Sequence, residues 1–247
     1  MGTSVVRAMR ILELLAQSEK PLPLARVTEA LQIPKSTAHS ILASLVQEGF
    51  VQVHEPASYA IGLKAFEVGA AHLRATGTVG VVAPELARLT RTLNITSHWA
   101  VLEGHDAVYL CKEDPPGRGV QLASSIGARL PARVTAVGKS CLAWLEPEVA
   151  ATHVDLPPQG DPTRDAALTQ VNAELEHVRA NGFSTDNGEA AVGITCVAAP
   201  VFDMSGPRGA IGVSFLRGTG APFDTIVAEV KESASRATSL LGGRGTR

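Results

Sequence analysis

The hydrophobic pattern between Leu24 and Leu63 predicts two short helices, a tight turn between them and a β-hairpin. In the first helix Val27 and Leu31 recur at helical spacing. Ile33-Pro34 ends that pattern, because a residue before proline is pushed away from helical backbone angles. Pro34 suits the first turn of the second helix, which ends at Gly49. The apolar side of that second helix consists of Ala38, Ile41, Leu42, Leu45 and Val46.

The opposite side of the second helix carries small hydrogen-bonding side chains, a composition suited to entering a DNA major groove. A hairpin follows directly, with strands at 50–53 and 59–61 around the turn-rich segment 54–58. This order of elements predicts a winged helix-turn-helix. The expected contacts to DNA are Lys35, Ser36, Thr37, His39 and Ser40.

Helix pairs with a proline-led second helix also occur in structural modules and in protein-docking domains, and charge does not decide between these interpretations. Residues 1–64 contain six Lys and Arg against five Asp and Glu, a net charge of about +1. Affinity for DNA scales with the number of phosphates that are neutralised. The DNA-binding interpretation therefore requires a dimer, which doubles the contacts.

Two further helices flank this region. Residues 4–17 form an amphipathic pattern with Val5, Met9, Leu12 and Leu15 on one face, and Arg7 lies off that face. Arg7 is therefore a second candidate for a phosphate contact, although a solvated arginine fits the pattern equally well. Residues 63–76 are also amphipathic and predict a linker helix. The expected domains are residues 1–63, a linker at 64–78 and a second domain at 79–247.

The second domain alternates helical and strand patterns. Helices are predicted at 82–93, with Arg88 and Arg91 outward, and at 135–145, 166–180 and 222–241. Strands are predicted at 97–102 and 107–111, joined by a hairpin turn, and at 120–124, 194–202 and 210–216. Antiparallel hairpins with intervening helices predict an α+β domain of the small-molecule-sensor type.

Composition limits the functional classes. The 247 residues are 45% hydrophobic and 19% charged, with a net charge of −2, as in an ordinary globular protein. No apolar run approaches the length of a membrane span. Three widely spaced cysteines favour reduced thiols and a cytoplasmic location. Only 4% of residues are aromatic, which speaks against a surface that stacks single-stranded nucleic acid.

The sequence contains only weak signals for catalytic and metal sites. The segment Gly138-Lys139-Ser140 ends like a phosphate-binding loop, but that motif requires glycine at 133, where this chain has arginine. The segment is better interpreted as the N-terminus of a helix that begins at Thr135. Two alternatives stay open: the free amides of this terminus hold a ligand carboxylate, or the helix is simply capped. Cys196 lies in an apolar strand as a structural thiol would. His98 and His105 are the one pair that a hairpin brings near each other.

The chain resembles the IclR family of bacterial transcriptional regulators. In the first domain the resemblance rests on Pro34–His39 and Tyr59–Leu63. In the second domain it rests on segments in the same order as in the family: Arg129–Pro131, Thr135–Lys139, Gly182–Asp186, Gly193–Asp203 and Ala210–Ser214. The resemblance implies a winged helix-turn-helix domain joined by a linker helix to a GAF-like α/β effector-binding domain with an antiparallel sheet. It also implies a homodimer or homotetramer on a palindromic double-stranded DNA operator.

The resemblance further implies a small organic or aromatic acid as effector. Family members contact the ligand at positions that match Ala136, Val137, Asp186, Cys196, Gly212 and Ser214. Two departures from the family pattern affect the expected sites. Ser40 replaces an arginine that often follows the recognition-helix histidine, and Gly212 replaces the first serine of a Ser-x-Ser pair. The missing hydroxyl weakens the case for a small carboxylate and leaves room for a bulkier ligand.

We therefore expect a cytoplasmic repressor or activator that binds operator DNA under the control of a small molecule, with no cofactor, no metal, no membrane segment and no catalytic residues. Asp186 would suit a hydroxyl or an amine of the ligand and would repel a carboxylate. Two alternatives remain: an enzyme that uses Cys196 or Lys139 behind a docking domain, and a sensor that docks on another protein without touching DNA.

Overall fold

A computed structural model describes residues 3–117, 125–219 and 221–243. The chain divides into two compact units, residues 1–76 and 77–247. The predicted strand at 120–124 lies outside the described residues. No helix among the described residues is long and apolar enough to cross a membrane.

The N-terminal unit is a small helical bundle with a three-stranded antiparallel sheet. Its core consists of Ile11, Leu15, Val27, Leu42 and Val51, which are all buried. The sheet order is β1-β3-β2, and β2 pairs with β3 in the predicted hairpin. The elements are α1 (Ser4–Ala16), β1 (Leu22–Pro23), α2 (Leu24–Leu31), α3 (Lys35–Gln47), β2 (Val51–His54), β3 (Ser58–Ile61) and α4 (Leu63–Thr76).

Two details of this unit differ from the sequence-based expectation. Val5 and Met9 are more than half exposed, whereas Ile11, which the predicted face omitted, is fully buried. Residues 22–23, for which the sequence predicts neither helix nor strand, form an edge strand beside β3. A two-residue strand carries too little periodicity to be recognised from its own sequence.

The C-terminal unit is built on a six-stranded antiparallel sheet in the order β6-β5-β4-β9-β8-β7. Its helices are α5 (Thr78–Leu93), α6 (Ala136–Leu142), α7 (Pro147–Ala151), α8 (Arg164–Asn181) and α9 (Phe223–Leu240). Its strands are β4 (Thr96–Glu103), β5 (Asp106–Glu113), β6 (Arg129–Pro131), β7 (Ser184–Asp186), β8 (Ile194–Asp203) and β9 (Gly206–Leu216). The mixed α+β class is as predicted.

Alternation along the strands divides the sheet into two unlike faces. Trp99, Ile211 and Val213 point to the first face, where they pack with Leu86 and Ile226 of α5 and α9 in the largest core cluster. The second face, which we call the α6 face, carries four alanines and one tyrosine that meet Ala136, Val137 and Cys141. Those strand residues are Ala100, Ala107, Tyr109, Ala198 and Ala210.

Ion pairs correct one prediction for α5. Arg88, expected to point into solvent, bonds Glu229 of α9 at 2.7 Å and the Ser233 hydroxyl at 2.6 Å. Arg236 of α9 contacts Glu85 at 3.0 Å from the other side. The two helices that cover one face of the sheet are therefore also joined by charge. This pairing depends on residues about 140 positions apart and leaves no periodic signal in the sequence.

Gly138 permits the close approach of α6 to the turn before it. A Cβ at this position would lie 2.2 Å from the carbonyl oxygen of Ala132 and 2.4 Å from its Cα. We expect Gly138→Ala to lower the free energy of unfolding by about 1–3 kcal/mol or more, because the obstructing atoms belong to the backbone. Urea denaturation followed by circular dichroism measures this change.

Gly80→Ala is the matched control. Gly80 lies within α5, and a Cβ there would meet nothing within 4 Å. Alanine at this position should raise stability by about 0.5–1 kcal/mol, since it removes conformational freedom from the unfolded chain. Equal stabilities of the Gly138→Ala variant and the wild type would contradict the packing described for α6.

Candidate nucleic-acid interface and ligand pocket

Helix α3 presents one polar side to solvent. Pro34 precedes the helix in an extended conformation, so the helix begins at Lys35, one residue later than the sequence suggested. Ala38 and Leu42 are fully buried against the core of the N-terminal unit. The opposite side is left uncovered within this unit: Lys35, Ser36, His39 and Ser40 are exposed, and Thr37 is half-buried.

The turn before α3 and the hairpin after it are both fixed by the backbone. Gln32 adopts a left-handed conformation, with φ of 50°, which ends α2 and redirects the chain. After α3, Gly49 also has a positive φ, and the Gly62 amide donates to the Phe50 carbonyl at 2.8 Å. The exposed hairpin residues 52–57 are thereby held beside the end of α3.

The cationic side chains of this surface are not neutralised internally. Among the described residues, Lys35 and Arg7 form no ion pair, whereas Arg26 and Lys64 are paired with Glu29 and Glu67. Arg7 is half-buried on α1. A cation without a carboxylate partner is available to a phosphate.

In the C-terminal unit the six residues predicted to contact the effector converge on the α6 face. Strand register places Asp186 beside Cys196, and Cys196 beside Ser214, across β7, β8 and β9. Gly212 lies two residues earlier on β9, on the same face. Ala136 and Val137 cover this face from the first turn of α6.

Asp186 is buried and fixes the turn that follows it. Its Oδ1 accepts hydrogen bonds from the amides of Gly188 at 3.0 Å, Glu189 at 2.7 Å and Ala190 at 3.4 Å. The sequence left two interpretations for Asp186, a ligand contact and a solvated turn acid, and the structure shows that the side chain is buried and bonded to the turn. No pattern of residue types separates the two roles.

Cys196 is a thiol rather than a thiolate. Its Sγ lies 3.1 Å from the Ser214 hydroxyl. Burial raises the pKa of Cys196 to about 12; the Ser214 hydrogen bond acts against this shift, and the Asp186 carboxylate adds to it. The side chain therefore contributes polarity and volume to the α6 face at neutral pH, and little nucleophilic character.

Two aromatic rings on the α6 face were missed as site residues in the sequence. His98 on β4 lies beside Gly212 in the strand register, and its ring meets the Tyr109 ring edge-on at 5.1 Å. Burial and, less strongly, the charge of Lys112 lower the pKa of His98 from 6.5 to about 3, against an opposing effect of Asp114. Burial also raises the pKa of Tyr109.

The sequence did contain a signal for His98. It alternates with buried strand residues and therefore had to point either into the main core or onto the α6 face. The structure also separates it from His105, the partner considered for a metal. His105 lies in the hairpin turn and contacts Asp155 at 2.7 Å.

The side chains around residue 212 leave too little space for a Cβ atom, which explains the glycine at this position. A Cβ there would lie 2.7 Å from His98 Nε2, 2.9 Å from Val137 Cγ1 and 3.3 Å from the Ala198 Cβ. The histidine ring thus occupies the space that a serine at 212 would need. The departure from the family pattern at 212 and the presence of a ring at 98 are sterically coupled.

Lys139 ties α6 to the turn that Asp186 anchors. Its Nζ lies 2.7 and 2.8 Å from the two Glu189 carboxylate oxygens, 3.0 Å from Glu174 and 3.2 Å from the Thr185 carbonyl. Lys139 and both glutamates also line a cavity of about 370 Å³ that includes Phe183. This ammonium group has the surroundings of a structural cation.

The depressed pKa of His98 has a consequence for acid stability. Between pH 6.5 and about 3 the unfolded chain binds a proton at this ring and the folded chain does not. The stability of the folded state is therefore unaffected by this group above pH 6.5 and decreases as the pH falls below it. Across that window the free energy of unfolding should fall by about 1.4 kcal/mol per pH unit from this group alone.

His98→Asn should flatten the pH dependence of urea denaturation in that window. His177→Asn is the control, because His177 is exposed on α8. If the two variants show the same slope as the wild type, His98 is not held neutral by burial.

Comparison with known proteins agrees with both units. Residues 4–55 match the family described as "IclR helix-turn-helix domain", and residues 70–239 match "Bacterial transcriptional regulator IclR C-terminal". The transcriptional repressor IclR of Escherichia coli is 30% identical over 257 aligned residues, which cover 97% of this chain and 90% of that protein.

Solved structures give the same fold. The Pseudomonas aeruginosa HmgR structure superposes with a TM-score of 0.75 at 26% identity, over 97% of this chain and 99% of that one. An IclR homologue from Microbacterium hydrocarbonoxydans, complexed with 4-hydroxybenzoate, superposes with a TM-score of 0.83 at 19% identity, over 97% and 99% of the two chains.

The winged helix-turn-helix and the ligand-sensing domain predicted from the sequence therefore belong to a DNA-binding regulator that responds to a small-molecule effector. The chain belongs to the IclR family of bacterial transcriptional regulators.

Proposed function

We propose that this regulator is a cytoplasmic homodimer or homotetramer that binds its operator through α3 and senses a small organic or aromatic acid on the α6 face. The proposed DNA contacts are Arg7, Lys35, Ser36, Thr37, His39 and Ser40. The proposed effector contacts are Ala136, Val137, Asp186, Cys196, Gly212 and Ser214. The observation that carries the effector proposal is the convergence of these six residues, from four separate elements, onto one side of one sheet.

The DNA proposal is supported by the chemistry of the exposed side of α3. Hydroxyl and imidazole groups there can donate to and accept from base edges, and Lys35 can pair with a phosphate. Ser40 replaces a longer cationic side chain at the same place, so phosphate contacts from one protomer are few. A weakly basic domain of this kind gains affinity from a second copy on a palindromic site.

The dimer proposal is supported by apolar side chains that their own unit does not cover. Val5, Val6 and Met9 are exposed on α1, and Phe66 and Val68 are exposed on α4. Helix α4 buries none of its residues within the chain. Apolar side chains in such number on two helices are typical of an interface.

The effector proposal is supported by the mixture of groups on the α6 face. Small apolar side chains surround a thiol, a hydroxyl and a carboxylate, which is the composition of a small-molecule site. In the first turn of α6 the Gly138 amide donates to the Thr135 hydroxyl, whereas the amides of Ala136 and Val137 have no intrahelical acceptor and can donate to a ligand oxygen. The relative crystallised with 4-hydroxybenzoate makes that compound a rational first probe.

The geometry disfavours the enzyme alternative. Lys139 is held by two carboxylates, and Cys196 is a protonated thiol whose nearest polar partner is a serine hydroxyl. Asp186 lies beside Cys196 but raises the pKa of its thiol, so this carboxylate does not activate the sulfur as a nucleophile. Turnover of a bound metabolite by the purified protein would restore that alternative.

For DNA binding, we expect Thr37→Ala/His39→Ala to abolish sequence-specific retardation of the operator while the protein remains folded. Both side chains lie on the outer side of α3, so their removal leaves Ala38 and Leu42 in the core. A mobility-shift titration on the DNA upstream of the protein's own gene, repeated at several salt concentrations, measures the loss. Specific binding by the wild type should weaken steeply with salt.

Thr169→Ala/His177→Ala is the matched control, because it exchanges the same residue types at exposed positions of α8. This variant should bind like the wild type. Unchanged retardation by the α3 variant would refute the α3 interface, and a salt-insensitive protein partner would favour the docking alternative.

For the effector site, we expect Asp186→Asn to weaken the affinity for a stabilising compound at least about tenfold, because a neutral amide accepts a hydrogen bond from a ligand hydroxyl or amine less strongly than the carboxylate does. Asparagine retains an oxygen that can accept from the amides of the turn, which alanine does not. Thermal shift across a panel of organic acids, followed by calorimetry, measures the affinity. Asp224→Asn, exposed at the start of α9, should respond like the wild type. An unchanged affinity in the Asp186→Asn variant would remove Asp186 from the contact set.

A further inference from the structure

Tyr109 is the only tyrosine of the C-terminal unit, and it lies at the β5 end of the α6 face. Its side chain is 4% exposed and belongs to the same packed cluster as Ala136 and Val137, against which Cys196 also packs. The His98 ring meets the tyrosine ring edge-on. Tyr109 is therefore part of the wall that the proposed effector contacts form, and its hydroxyl has no assigned role.

The Tyr109 hydroxyl forms no hydrogen bond with any residue that the structure describes. It also differs from the unpartnered side-chain atoms that are sealed from solvent in the described part of the chain, which are His98 Nδ1, Trp99 Nε1 and Trp144 Nε1. An oxygen that is neither bonded nor sealed borders a space that a small molecule can enter. Because buried polar groups are nearly always paired, this hydroxyl gains its partner when a ligand occupies that space.

Asp186 lies at the other end of the α6 face. Strands β4, β9 and β8 separate β5 from β7, so the hydroxyl and the carboxylate stand on opposite sides of this surface. They are close enough to interact electrostatically: burial raises the pKa of Tyr109, and the neighbouring Cys196 and Asp186 add to this shift. The intervening strands contribute small residues, among them Gly212 and Ala198, which are register partners. A hydroxyl and a carboxylate therefore face each other across a surface of small side chains.

The two ends of this surface suit different groups of a ligand. Asp186 accepts from a hydroxyl or an amine and repels a carboxylate. The Tyr109 hydroxyl stays protonated at neutral pH, because its pKa is raised, and it can donate to an oxygen. Hydrogen bonds to an ionised acceptor are roughly twice as strong as those between neutral groups. An organic acid is therefore bound most favourably with its carboxylate toward Tyr109 and away from Asp186.

We propose that Tyr109 is a specificity-determining contact of the effector site, and that its hydroxyl donates a hydrogen bond to the carboxylate of the effector. This inference rests on the proposed effector site and adds a residue and an orientation to it. The acid group of the effector lies toward β5, and a hydroxyl or amine of the effector lies toward Asp186.

Ligands that carry the two groups separately test this orientation on the full-length protein. In an aromatic series, 4-hydroxybenzoate carries both groups, benzoate carries only the acid and phenol carries only the hydroxyl. Lactate and propionate are an aliphatic pair of acids with and without the hydroxyl. Thermal shift identifies the compounds that bind, and calorimetry measures their affinities for the wild type and for each variant.

Tyr109→Phe keeps the ring and removes only the hydroxyl. It should weaken the binding of each acid that the wild type binds by about tenfold, the size expected for one hydrogen bond to a charged group, and it should leave the affinity for phenol unchanged. Asp186→Asn should give the opposite pattern. It should weaken the binding of the hydroxylated compounds and should not weaken the binding of benzoate or propionate.

Tyr59→Phe is the matched control, because Tyr59 is the other tyrosine of the chain and lies on β3 in the N-terminal unit. This variant should bind every acid like the wild type. Cooperative thermal unfolding within a few degrees of the wild type shows that each variant is folded. The comparison with phenol separates a lost donor from disturbed packing, since a packing defect at 109 would weaken phenol and benzoate alike.

The outcomes distinguish this inference from the proposed function. If acids bind and Tyr109→Phe leaves their affinities unchanged, the Tyr109 assignment is wrong and the effector site stands. Equal weakening of benzoate and phenol in Tyr109→Phe would also overturn the assignment, as would weakening of the hydroxylated compounds alone. If none of the acids binds the wild type, the organic-acid site and the Tyr109 assignment are both overturned.

Discussion

The six-stranded antiparallel sheet must be covered on both faces, and helices and side chains of different size cover the two faces. On one face α5 and α9 bury large side chains such as Trp99 and Ile211, and Arg88 and Arg236 join the two helices. On the other face α6 has only seven residues and meets mostly alanine, glycine, serine and cysteine residues, with the rings of His98 and Tyr109 among them. Large apolar groups fill a core, whereas small ones leave room for a ligand. The candidate effector residues therefore lie on the face with the smaller side chains.

Much of the fold was predictable because its signals are local. Alternation predicted β4, β5, β8 and β9, and helical periodicity predicted α3, α5, α8 and α9 within a few residues. The short elements β1, β6, β7 and α7 were not among the predicted elements, because two to five residues carry too little periodicity. The half-buried state of Arg88 was also out of reach, since its partner Glu229 lies on another helix.

The candidate site was predictable only in part, for a similar reason. The resemblance supplied the six positions on the α6 face, and the structure brings those positions together. The link between Gly212 and His98 is a contact between two strands, and it has no signature in either strand alone. The same holds for Lys139, which bridges Glu174 and Glu189 from other elements.

The bonds made by Lys139 constrain how a bound molecule can act. Its ammonium group joins the helix that carries Val137 to the turn that Asp186 anchors, and so to two separate walls of the candidate pocket. A buried cation therefore links the two walls. Separating the helix from the turn would break the bonds between Lys139 and Glu189, so we expect any hinge to lie outside the segment that Lys139 holds.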